Sequence, residues 1–136
     1  MFSPRSDLAY RTALSAGPFV DSLAGDVVGI ADSLRRGELD AALESFETSA
    51  DRLQRFLTFL IVASELLVDT RPSLGAVLAD YNRRLLGMTC RIQDILGEGD
   101  LVGLTLALEH GLAQALAEYN AYEADVQTAL QPVQAA

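Results

Sequence analysis

FLTFLIVASELLV, residues 56–68, is the stretch on which the fold turns. Of its thirteen positions ten are apolar, and only Thr58, Ser64 and Glu65 are polar. A membrane-spanning helix needs about 20 apolar residues. This run is shorter and holds Glu65, so no span is expected. Nor does it alternate with period two, as a half-buried strand would. Its apolar residues recur at three- and four-residue steps, and the pattern extends both ways as Leu39, Leu43, Phe46, Ala50, Leu53, Leu57, Leu60, Ser64 and Leu67. That is a helix, expected over about 39–69.

Three more stretches carry the same spacing. One runs from Val20 through Leu23, Val27 and Ile30 to Leu34, and another from Leu74 through Leu78, Tyr81, Leu85, Met88 and Ile92 to Ile95. The last begins at Leu101 and passes Thr105, Leu108, Leu112, Ala115, Tyr119, Tyr122 and Val126 to Ala129. Helices are therefore expected at about 18–36, 72–97 and 100–130 as well. Gly37 and Gly99 suit left-handed helix ends, Asp100 an N-cap, and Pro18 and Pro72 first turns. Short connections require antiparallel neighbours. The expected fold is all-α: an antiparallel up-down-up-down four-helix bundle over 18–130, with a short N-terminal segment at 1–17 and a tail at 131–136. Ile30, Asp32, Leu34, Gly37, Glu38 and Leu39 recur as Ile92, Asp94, Leu96, Gly99, Asp100 and Leu101, so the chain reads as two similar helical hairpins.

The chain has 136 residues, which suits one domain, and a net charge of −9. Its basic residues are all Arg, which removes Schiff-base and phosphate-loop lysine chemistry. Residues 92–136 hold seven acids and no base, so neither nucleic acid nor an anionic membrane is an expected partner. The acidic part is a solvated face or a docking face for a basic partner. Cys90 is the single cysteine, which fits a reducing cytoplasm. With Asp7 and no apolar run near the start, no signal peptide is expected.

No catalytic, cofactor or metal constellation is expected. Bundle metal sites need several inward carboxylates and His residues, whereas His110 is the only His and no acid occupies a seam position. His110 falls on the outer side of the fourth helix, as in histidine phosphotransfer domains. Those carry a Lys and a Gly three and four residues on, where this chain has Ala113 and Gln114. Tyr81, Tyr119 and Tyr122 read as core aromatics whose hydroxyls reach the rim.

Read as heptads, helix two is narrow at first and broad later. Phe56, Phe59, Ile61, Leu66 and Val68 fall outside its seam and widen the apolar arc to roughly 200°, against about 100° for an ordinary core-facing stripe. Two neighbours do not cover such an arc. Three coverings stay open: residues 1–17 as a strap bearing Phe2, Leu8, Tyr10 and Leu14; a second copy of the chain as a dimer; or an apolar helical segment of a protein client. The strap and the client are compatible if the strap is displaced. These five residues are the candidate partner-binding set.

Tyr10, the Gly37-Glu38-Leu39 turn, the Leu78, Tyr81 and Leu85 element and the Gly99-Asp100 turn together resemble the flagellar secretion chaperones that bind flagellin. The likeness spans most of the chain, although Gly17-Pro18 stands where that family has Ser-Pro and there is no terminal Trp. It implies a non-enzymatic cytoplasmic chaperone that wraps an apolar client segment, flagellin by family, and displaces its own N-terminal strap.

Overall fold

A computed structural model describes residues 4–132 and is all-helical over them. Helix α1 spans Pro4–Arg35, α2 Leu39–Leu67 and α3 Pro72–Glu98. The last helical stretch is segmented: α4 at Leu101–Leu106, a π-helical turn at Ala107–Leu112, α5 at Ala113–Ala117, a 3-10 turn at Glu118–Ala121 and α6 at Glu123–Leu130. Helix α1 packs along α2 and along these segments, and α2 also packs along α3.

The two glycine turns share one geometry. Gly37 and Gly99 both stand at φ 74°, a conformation that costs a side-chain-bearing residue steric strain. Gly37 N–H donates to Leu34 O at 3.1 Å and Glu38 N–H to Ser33 O at 2.9 Å; Gly99 and Asp100 repeat the pattern on Leu96 and Ile95. This closes the free carbonyls of each helix end. Asp100 then caps α4, its carboxylate accepting from Gly103 N–H at 2.9 Å.

The N-terminal segment corrects the strap expectation. From Pro4 onward residues 4–17 are not a separate strap; they are the first half of α1, which runs through Pro18 without interruption. Proline removes one helical donor and crowds the preceding turn. Packing outweighs that cost, because Ala9, Ala13 and Ala16 continue the buried side of Val20, Leu23, Val27 and Ile30 at helical spacing. The Gln127 amide also donates to Ala13 O at 3.2 Å, just upstream of the proline. Of the expected strap residues, Leu8 and Leu14 face solvent, Tyr10 is partly buried and Phe2 lies outside the described residues.

The fourth stretch departs from the single helix expected at 100–130. Leu104, Leu108, Leu112 and Leu116 are all buried and four residues apart. In an ideal α-helix such a row drifts about 40° per step. The wider turn at 107–112 takes up residues without advancing the helix, which returns the row to the core. Leu101, expected in the seam, is exposed.

Polar ties join the helices at the surface, outside the core. Arg52 pairs with Asp26, reaches Ser22 at 3.1 Å and lies over the Phe19 ring. Arg35 pairs with Glu109, and Arg84 meets Glu118 at 3.0 Å. Helix α3 packs tightly on α2 at Gly75, where a Cβ would stand 3.1 Å from Ser64 O and 3.6 Å from Leu67 Cβ. Gly75→Val is expected to cost about 1–3 kcal/mol by overpacking, read as a lower urea midpoint at unchanged slope. An unchanged midpoint would mean that α2 and α3 have slack there.

Candidate binding surface

The five candidate residues separate in space. Phe56 is 2% exposed and Phe59 7%, and both belong to the core. Their rings stack at 6.3 Å; Tyr119 stands edge-on to both, at 5.2 and 6.4 Å, and Tyr81 edge-on to Phe56 at 6.4 Å. Leu66 is half-buried against the same core. Only Ile61, 45% exposed, and Val68, 60% exposed, stand on the surface. A contact role for Phe56 and Phe59 is therefore corrected. The first half of α1 fully buries only Ala9, Ala13, Ala16 and Gly17, so the large rings of the core at this end come from the other helices.

At the other end of α2 the opposite happens. Leu39, Leu43 and Ala50, expected in the seam, are exposed, while Ala42 and Ser49 turn inward. Leu43, Ala50 and Ile61 of α2, and Val68 at its C-cap, lie close to whole turns apart and share one flank, with exposed Gln54 between Ala50 and Ile61. Beneath the row, between α2 and α3, an apolar crevice descends to the core. Phe46, Ala50 and Leu53 form one wall, Thr89, Ile92 and Gln93 the other, and Leu108 and Leu112 of the π-helical turn lie among its lining. Its free volume is about 30 Å³, room for one water-sized body. It is a notch into which a projecting side chain could press, too small for a bound metabolite. Sequence spacing did not find it, because it needs small residues on α2 and a widened turn on a distant segment at once.

The flank of this row is acidic. Among the described residues, Asp40, Glu44 and Glu47 of α2 have no ion-pair partner, whereas Asp51 meets Arg55 at 3.0 Å.

Other candidate groups stand apart. Among the described residues no three metal-ligating side chains converge. His110 is exposed on the π-helical turn, 3.5 Å from Glu109. Glu109 is itself held below the usual carboxylate range by its hydrogen bond and charge pairing with Arg35. Cys90 is a free, exposed thiol. The tyrosine hydroxyls differ from the expected rim positions. Tyr81 donates to Ala115 O at 2.6 Å inside the core, and the Tyr119 hydroxyl is buried without a partner among the described residues. Burial, the first cause in each case, raises both phenols well above their ordinary pKa. No helix among the described residues is long and apolar enough to cross a membrane.

No family model, curated protein or solved structure matches the chain.

Proposed function

We propose that this chain is an antiparallel up-down-up-down four-helix bundle, with the segmented stretch 101–130 as its fourth member, and that it works as a non-enzymatic, chaperone-like binding protein of the cytoplasm. Its client presents an apolar helical segment to the α2–α3 face. The observation that carries this reading is the exposed apolar row Leu43, Ala50, Ile61 and Val68, set beside a notch that leads into the core. Exposed large apolar side chains gathered on one flank favour a covering partner. An amphipathic helix laid in a groove is the usual occupant of such a strip, with its projecting side chains as anchors. The unpaired acids beside the row favour a client whose apolar stripe is flanked by Arg or Lys. Flagellin is the client to which the family resemblance points.

Titration with synthetic amphipathic helices tests this. A Leu-striped peptide with Arg flanks is expected to bind saturably, and its Glu-flanked counterpart about tenfold more weakly. Ile61→Asp is expected to weaken binding at least about tenfold while leaving the melting curve nearly unchanged, because the side chain is already half in water. Flagellin serves as the natural-client arm. Binding that Ile61→Asp does not alter, or no binding of peptide or flagellin, would remove this site.

A further inference from the structure

A second concave surface lies along another flank of α3, separated from the client notch by the Ile92 side chain, which lines both. It is a groove of about 560 Å³ between the C-terminal half of α3 and the start of the last helical stretch. Met88, Ile95 and Leu106 contribute its apolar walls. Gly103, Ala107 and Gly111 line its floor, so the backbone there is open to close approach. Leu106 and the neighbouring Val102 are among the most exposed large apolar side chains of the molecule, at 50% and 73%. Apolar side chains therefore stand both within the groove and projecting beside it.

The charges at this groove decide its occupant. Arg91, Glu98 and Asp100 line it; Asp100 is engaged by its cap on Gly103 N–H, whereas Arg91 and Glu98 are exposed and have no ion-pair partner among the described residues. They are two turns apart on α3, about 10 Å along the axis, with Ile95 between them. A uniformly basic partner would be repelled by Arg91 and a uniformly acidic one by Glu98. A second copy of this chain, related by a two-fold axis near Ile95, presents the opposite order. Arg91 then meets the partner's Glu98, and Glu98 the partner's Arg91. A two-fold contact requires a self-complementary surface of this kind.

We propose that the groove between α3 and the 100–111 stretch is a homodimer interface, in which Ile95, Val102 and Leu106 of each copy cover the other's open floor and two Arg91–Glu98 pairs set the register. The groove and the client notch share Ile92 but otherwise use different residues of α3, so each copy in the dimer keeps Thr89 and Gln93 of its client face outside the interface. Such a dimer would give avidity for a client with two apolar segments.

Sedimentation equilibrium of the full chain at low salt, from micromolar to submillimolar concentration, tests this. Arg91→Glu and Glu98→Arg, each alone, are expected to weaken dimerisation at least about tenfold, and the double exchange to restore it. A second measurement does not depend on the charge variants. In a Cys90→Ser background, Ile95→Cys at the axis is expected to oxidise to a covalent dimer, with Val77→Cys, on the same helix but remote from the axis, remaining monomeric. A chain that stays monomeric throughout would overturn the proposal. So would a dimer that ignores both single exchanges, a double exchange that fails to rescue, or equal crosslinking at the two cysteines.

Discussion

Phe56→Ala is expected to lower the unfolding free energy by about 3–5 kcal/mol, the cost of emptying a large aromatic site in a close-packed core. The ring is buried and meets Phe59, Tyr81 and Tyr119, with centroids 5.2–6.4 Å away. Such contacts add about 0.5–1.5 kcal/mol per pair to the area term. A domain of this size holds about 5–15 kcal/mol in total, so the loss is a large part of what keeps it folded. Urea unfolding followed by circular dichroism measures it. Phe56→Leu, which keeps much of the volume, is expected to lose less than half as much, since the site then collapses rather than gapes. A loss below about 1 kcal/mol for Phe56→Ala would return the ring to the surface, where heptad counting alone places it.

The second large effect is at high pH. Tyr81 and Tyr119 are both buried, and both phenols are raised above the ordinary value of 10.0 because a phenolate in the core has lost its hydration. The neutral form is thus the folded form. Below pH 10 the phenols are protonated in the folded and the unfolded chain alike, and their contribution to stability is fully present. Above it the unfolded chain releases protons that the folded chain keeps, so stability falls as pH rises, by up to about 1.4 kcal/mol per pH unit for each tyrosine. Denaturant titrations at stepped pH are expected to show a steep decline beginning near pH 10. Tyr81→Phe removes one of the two titrations and should flatten the decline. It also removes the 2.6 Å bond to Ala115 O and leaves a buried carbonyl with one donor fewer, for a loss of about 1 kcal/mol at neutral pH. Phenolate absorbance developing in one step near pH 10 with the helical signal intact would contradict the burial of these hydroxyls.

The helical class was legible because it depends on one-dimensional periodicity. Apolar residues three and four apart admit a helix and exclude a half-buried strand, and a left-handed glycine before an acid marks a helix end wherever it occurs. Gly37 and Gly99 needed no tertiary information to be recognised. Pro18 misled for the same reason. Its local cost is real, but the residues that offset it, Ala9, Ala13 and Ala16 on its own helix and Gln127 from the far end of the chain, are too small or too distant to register as a pattern. The last stretch was read as one regular helix because a four-residue leucine row looks like a seam. Only the close packing of that row against α1 and α3 calls for the widened turn at Ala107–Leu112.

The candidate site separates along the same line. By itself the sequence determined that the chain is helical, acidic in its final third, and too apolar around residues 56–68 for a simple stripe. The tertiary structure decided which of those side chains turn inward, since an inward arc is as wide as its neighbours allow. Phe56 and Phe59 pack into the core edge-on to Tyr119, and among the described residues no neighbour buries Ile61 and Val68. Periodicity assigns each residue an angle about its own helix axis. The volume available at that angle is set by other helices, and volume decides which apolar residues are core and which are left for a partner.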